Sequence, residues 1–277
     1  KKKSFKSSGL IVAGGVLGTM DLLLKQKHKY NTLPLLSEKL GENLRTNSEM
    51  LCAVTSMTEK LNHGVSITSV FNPDEHTHIE IVKYPDDSNA MKAFATIATG
   101  PGHPLVRTLK LFGNIFTDPL SFLKLLFGKK WATHSVIFLV MQSLDNSMKM
   151  VYKRFTFPHT SIWNKKENRV TAYLDIGQET MLKYAKKVNG IPQNAITEIL
   201  FDMSSTAHIL GGCPMGKNEK EGVVNEKFEV FNYPNMHVLD GSIIPGNLGV
   251  NPSLTITALS EYAMSLIPEK EWNKNIS

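Results

Sequence analysis

Gly9-Leu10-Ile11-Val12-Ala13-Gly14-Gly15 is an uninterrupted apolar run closed by a glycine pair. The run does not alternate, so it does not suit a strand with one wet face. It suits a parallel strand covered on both sides. Leu17 to Lys25 follows, with Met20, Leu23 and Leu24 on one side at helical spacing. Strand, glycine turn and helix in this order point to an α/β chain. The Gly-x-Gly-x-x-Gly dinucleotide fingerprint occurs nowhere in the sequence.

Composition narrows the class further. The 277 residues are 42% hydrophobic and 20% charged, which suits a packed protein and excludes wholesale disorder. No apolar run reaches the roughly 18 residues of a membrane span. The net charge is +6, but only four basic residues are Arg, namely Arg45, Arg107, Arg154 and Arg169. Phosphate and guanine readers lean on Arg forks, and no basic stripe with interleaved aromatics is present. No nucleic-acid partner is expected, and Lys1 to Lys6 read as a solvated end. Cys52 and Cys213 lack a Cys-x-x-Cys context, so reduced thiols are expected. The chain opens without Met or a signal-like apolar segment, as if entered midway. Its location stays open, with the cytoplasm or a membrane periphery favoured.

Along the chain, residues 31–47 read as irregular. Leu51–Ser56, Val65–Phe71 and Thr77–Tyr84 read as strands, the last with His76, His78 and Glu80 on one face. Leu105, Leu109, Phe112 and Phe116 recur at helical spacing, and a second apolar, basic stretch spans Pro119–Lys130. These two stretches are either core-facing helices with snorkelling lysines or a lid touching a membrane surface. Ser135–Gln142 reads as a strand, with Lys149–Phe155 as its hairpin partner. Gln178–Val188 is a helix and Met236–Leu239 a short strand. Ser253–Leu266 is a helix capped by Ser253.

The chemistry-bearing residues concentrate late in the chain. His208 precedes Gly211-Gly212 and is either a structural hydrogen-bonder or an acid–base group. Asn251, before Pro252, is either a turn former or a hydrogen-bonding group at a reacting oxygen. The helix start at Pro252, Ser253 and Leu254 offers free N–H groups and a positive dipole end. Asp240-Gly241 ends a strand, as either a plain turn or a ligand site. His76, His78 and Glu80 have metal-like spacing, but polar strand residues are the simpler reading and no metal is expected. Cys213 reads as a small buried filler.

Three segments together are more specific. They are His208-Ile209-Leu210-Gly211-Gly212-Cys213-Pro214-Met215-Gly216, Asp240-Gly241-Ser242-Ile243-Ile244-Pro245 and Gly249-Val250-Asn251-Pro252-Ser253-Leu254-Thr255-Ile256-Thr257. They resemble the C-terminal part of the glucose–methanol–choline (GMC) oxidoreductases, most closely the bacterial sterol oxidase branch. Ile11 to Leu24 resembles that family's mid-chain strand, turn and helix, with Met20 where a Pro is common. Leu33-Pro34 and Arg45-Thr46-Asn47-Ser48-Glu49 also resemble the sterol branch.

The resemblance implies a mixed α/β fold (α+β overall). A partial FAD-binding Rossmann-like domain would carry a substrate domain with a mostly antiparallel sheet and helices. Residues 1–48 and 217–277 would be FAD-domain segments and 49–216 the substrate domain, with the N-terminal fingerprint part missing. The cofactor implied is FAD, near Gly14, Gly15, Asp240, Gly241, Asn251, Pro252, Ser253 and Leu254. The implied catalytic residues are His208 and Asn251, with Glu80 for double-bond isomerisation. The implied activity oxidises a bulky apolar alcohol, a sterol or similar, to a ketone by hydride transfer to flavin. The alternatives are a non-catalytic part of a split flavoenzyme, or a dehydrogenase of the same family for another alcohol. Implied partners are the apolar alcohol, the N-terminal FAD-binding half and a peripheral membrane contact.

Overall fold

The computed structural model describes residues 3–155, 160–164 and 169–268; Lys1 and Lys2 of the basic start lie outside them. The chain begins β1 (Leu10–Val12), α1 (Gly15–His28), β2 (Met50–Ser56), β3 (Ile67–Phe71), β4 (Thr77–Val82) and β5 (Ala95–Ile97). It continues α2 (Pro104–Thr117), α3 (Pro119–Phe127), α4 (Trp131–His134), β6 (Ser135–Gln142), β7 (Met148–Tyr152) and β8 (Thr160–Asn164). It closes with α5 (Asp175–Lys187), β9 (Gly190–Ala195), α6 (Ile196–Phe201), β10 (Met236–Val238) and α7 (Ser253–Leu266). The mixed α/β class expected from the sequence is the one observed.

One sheet dominates, in the order β3-β4-β6-β2-β9-β5, and every neighbouring pair is antiparallel. Its strands alternate, as a sheet with two different faces requires. Met50, Cys52, Val54, Ile79, Val136, Phe138 and Val140 point to one face and pack against Leu174, Met181 and Ala185 at α5. Ala53, Ile137 and Ile191 point to the other and pack with Leu111 of α2, Leu125 of α3 and Trp131 of α4. All eight residues of β6 are buried because it sits between β4 and β2.

The first apolar run pairs in parallel with β10, Leu10 opposite Met236 and Val12 opposite Val238. Around this pair a second core gathers Val16, Met20, Leu23 and Leu24 of α1 with Leu40, Leu44, Cys213, Val223, Phe228 and Ala263. Met150 of β7 joins it from the middle of the chain.

Three sequence expectations change, and one open alternative is decided. β1 is not covered on both sides: Leu10 and Ile11 are 52% and 44% exposed, and among the described residues β10 is its one strand neighbour. β7 pairs with β8 rather than β6, since both edges of β6 are already taken by β2 and β4. The cap of α7 is Pro252, which has no side-chain donor or acceptor; Ser253 is the first helical residue. The stripe Leu105, Leu109, Phe112 and Phe116 is exposed, so it does not face the core. The inner side of α2 is instead held by Leu111 and by Arg107, whose guanidinium lies 2.7 Å from Glu198 and over the Tyr173 ring.

Candidate active site

The site grows from the pocket-facing row of the large sheet. Register places Glu80 opposite Leu139, and Leu139 opposite Leu51 on its other side. Cross-strand partners share a face, so Glu80 projects on the same side as Leu51, Leu139, Ala53, Ile137 and Val82. That face floors a cavity of about 590 Å³, walled by Tyr84, Phe94, Trp131 and Met203. Its lining is mostly apolar, with Gln193, Asn194, Ser204, Ser205 and Thr206 as polar groups. Its edge runs through Ala207 to the residue before His208. The volume and lining fit a small-molecule site.

Glu80 is 6% exposed. Asn251 donates its amide to both carboxylate oxygens, at 2.8 and 3.0 Å, and His78 Nε2 lies 3.1 Å from Oε1. His78 is thereby engaged within the protein, with its Nδ1 3.0 Å from Asn72 Oδ1. His76 lies just before β4, beside Glu75 and Ser143. Among the described residues, no cluster of His, Cys, Asp and Glu could hold a metal.

His208 is held from the opposite flank. Its Nδ1 bonds Glu49 Oε1, and its backbone N–H donates to Thr206 Oγ1 at 2.9 Å. Glu49 is fully buried, and its Oε2 accepts from the Ala207 backbone N–H at 2.8 Å. His208 Nε2 has no hydrogen-bond partner among the described residues. Behind the ring the backbone passes very close to its neighbours. Gly211, at φ +74, would put a Cβ 1.9 Å from the Asn43 carbonyl oxygen, so only glycine fits there.

One short segment connects the two flanks. Asn47 and Ser48 both adopt left-handed backbone, at φ 56 and 47. Such conformations persist only where surroundings enforce them. Asn47 accepts from the Gly249 N–H and donates to the Val250 carbonyl, both at 2.9 Å, and so fixes the loop that ends in Asn251. Two residues later, Glu49 fixes His208. The structure does not place His208 and Asn251 in direct contact; it joins them through 47–49. In the sequence, Asn47 and Glu49 stand out only within the segment that carries the resemblance. The signal that would have found Glu49 is a charged residue immediately before a buried strand.

The expected cofactor residues lie at the turn from β1 into α1, at the end of β10 and at the start of α7. Asp240 is buried and already engaged: Oδ2 accepts from Thr19 Oγ1 at 2.5 Å and Oδ1 from the Ser242 N–H at 2.8 Å. Thr19 in turn accepts from the Gly14 N–H at 3.1 Å, so Asp240 braces the glycine turn. Gly15, at φ +68, has open space where a Cβ would stand. The first N–H groups of α7 carry no side-chain cap, and Leu254 is 81% exposed. Ser242 Oγ and Asn251 Oδ1 are buried without a partner among the described residues. Buried polar atoms normally find partners, so this end of the molecule fits a polar ring edge of a bound group. Cys213 does not compete for such a role: it is fully buried, and burial pushes its thiol up to about 12.

Comparison with known proteins agrees with this architecture. Residues 158–260 match the GMC oxidoreductase family model for its C-terminal domain. The chain is 36% identical to a cholesterol oxidase of Acinetobacter baumannii, over 98% of its own length and 49% of that protein. It is 37% identical to a cholesterol oxidase of Mycobacterium tuberculosis (strain CDC 1551 / Oshkosh), over 97% of its own length and 48% of the relative. It also superposes on a crystal structure of formate oxidase with TM-score 0.57 at 13% identity, covering 94% of this chain and 54% of that one. That likeness concerns the fold alone.

The fold class is therefore the one built around the C-terminal domain of the GMC oxidoreductases. This chain carries that domain at residues 158–260, and it spans about half the length of the curated relatives it matches.

Proposed function

We propose that the whole protein oxidises a secondary alcohol on a bulky apolar molecule, sterol-like in size, to a ketone, with FAD as electron acceptor. The carrying observation is the apolar cavity of about 590 Å³ that lies between the Glu80 face of the sheet and the segment leading to His208. The cholesterol oxidase relatives point to the same substrate class.

FAD would be held by the Gly14–Gly15 turn, Gly241, the Asn251–Pro252 loop and the first turn of α7 at Ser253 and Leu254. Asp240 would brace that turn through Thr19. When bound, the flavin supplies the site to which the carbinol hydrogen is delivered as hydride. His208 Nε2 accepts the hydroxyl proton, and the C–O bond becomes C=O as the hydride departs. Asn251 orients the oxygen side of the reaction and holds Glu80. The free N–H groups at the start of α7 would favour negative charge developing beside them, and preorganised dipoles of this kind are commonly the largest catalytic term. Glu80, on the sheet face that floors the cavity, moves a proton between carbon atoms of the unsaturated ketone product and so shifts the double bond.

In this reading residues 1–48 and 217–277 belong to an FAD domain and 49–216 to a substrate domain. The parallel β1–β10 pair and the core that joins α1 to Val223, Phe228 and Ala263 support the first assignment. Met150 and Cys213 cross from the middle span into that core. The rest of the flavin clamp would come from an N-terminal half. The exposed stripe on α2, including Leu109 at 71% and Phe116 at 88%, supports a peripheral contact with a membrane surface, where apolar alcohols partition.

The test is turnover of the holoenzyme, with its flavin-binding half, on a 3β-hydroxysterol, a long-chain primary alcohol and a small polar alcohol. A sterol preference of at least tenfold in kcat/KM supports the reading. Preference for the polar alcohol, or no oxidation of any of them, overturns it.

A further inference from the structure

We infer that Glu49 is a positioning residue for His208, holding the imidazole so that Nε2, not Nδ1, faces the substrate. The inference rests on the reading of His208 as proton acceptor. Glu49 is fully buried, at the junction between the left-handed Asn47–Ser48 turn and β2. A buried carboxylate is costly unless paired and hydrogen-bonded. Among the described residues its one ion-pair partner is His208, and no Lys or Arg approaches it. Its oxygens divide the work: Oε1 takes His208 Nδ1 and Oε2 takes the Ala207 N–H at 2.8 Å. The Glu49 carbonyl also accepts from Ser204 Oγ at 2.7 Å. The carboxylate and its own backbone therefore fasten three points of the segment that presents His208.

The chemistry follows from the donor–acceptor inventory. An ionised carboxylate only accepts, so the ring nitrogen facing it must carry the proton. That selects the Nδ1–H tautomer and leaves the Nε2 lone pair for the substrate hydroxyl proton. When Nε2 takes that proton, the imidazolium forms against a fixed negative charge. Removing an orienting carboxylate from such an arrangement costs catalysis through the wrong tautomer, while the geometry survives. Glutamine at this position can donate as well as accept, so it permits the unproductive tautomer without emptying the space.

The experiment uses the holoenzyme and two variants, Glu49→Gln and Glu49→Ala. Flavin reduction is followed in single turnover with the sterol substrate, and the downfield Nδ1–H proton resonance of His208 is recorded, assigned by its loss in His208→Gln. The expected result is a fall in reduction rate on the order of a hundredfold or more for Glu49→Gln. Substrate affinity should change less than about threefold, and the resonance should be present in the native enzyme and absent from Glu49→Ala. A native enzyme without that resonance overturns the inference even if no variant folds. So does a Glu49→Gln enzyme that reduces flavin at the native rate while His208→Ala does not. If native enzyme and His208→Ala reduce flavin equally, the parent reading of His208 fails instead, and the resonance still decides whether Glu49 sets the tautomer.

Discussion

Asn251 and Glu80 are 171 positions apart in sequence, yet one amide nitrogen of Asn251 donates to both oxygens of the Glu80 carboxylate, at 2.8 and 3.0 Å. The pair ties the loop before α7 to the cavity face of the sheet. Glutamine at position 80 offers a single acceptor oxygen and cannot carry a proton between carbons. Glu80→Gln is therefore expected to lower isomerisation on the order of a hundredfold more than oxidation. The ratio of the two ketone isomers in the product measures this, and an unchanged ratio removes Glu80 from the chemistry.

His208→Ala removes the proposed proton acceptor and leaves both glycines of the Gly211–Gly212 turn in place. Flavin reduction by the alcohol is expected to slow on the order of a hundredfold or more, with flavin content unchanged. Native turnover in this variant would exclude His208 as the acceptor.

Gly211→Ala tests the close approach behind that histidine. The new Cβ would lie 1.9 Å from the Asn43 carbonyl oxygen at φ +74. Backbone strain alone costs about 1–3 kcal/mol, and the clash adds to it. A calorimetric Tm equal to that of the native protein would contradict the packing described.

Glu198 has a pH signature. Burial outweighs the attraction of Arg107 and raises its carboxyl from the ordinary 4.5 to about 7. A raised folded-state value means that the folded protein holds the proton more tightly than the unfolded chain. The stability this brings is present in full below about pH 4.5 and is lost as pH rises through about 7. Its size is at most a few kcal/mol. Denaturant titrations between pH 5 and 8 should fall more steeply for the native protein than for Glu198→Gln. Equal slopes would dismiss this source of pH dependence.

The exposed stripe of α2 carries Leu109 and Phe116, and neither contributes to the core. Leu109→Glu with Phe116→Glu is expected to leave Tm within about 2 °C and to lower liposome binding about tenfold. Flotation with anionic vesicles reads this directly. A large drop in Tm would show that the stripe is packed in solution, and undiminished flotation would place the contact elsewhere.

Much was legible in the sequence because it is written locally. The apolar run at Leu10–Val12, the alternation in β4 and the buried strand β6 follow from side-chain periodicity over a few residues. His208 and Asn251 stand out as candidates because each sits in a short, distinctive string; Glu80 stands out only through the resemblance. Local pattern could not say which way the α2 stripe would turn. The same four apolar residues satisfy a core face or an outer face, and the choice falls to Arg107 and Leu111 on the other side of the helix. Nor could it pair β7 with β8, since that depends on β6 having no free edge.

The site divides in the same way. Residue chemistry along the chain determined the candidates themselves. Only the tertiary structure decided that Glu49 stands against His208, 159 positions away, and that Asn47 clamps Gly249 and Val250, just over 200 positions away. The physical reason is that hydrogen bonds between distant segments depend on strand register and core packing, which no short window of sequence contains. The left-handed turn at Asn47–Ser48 brings these distances together, because it aims two neighbouring side chains at two different loops.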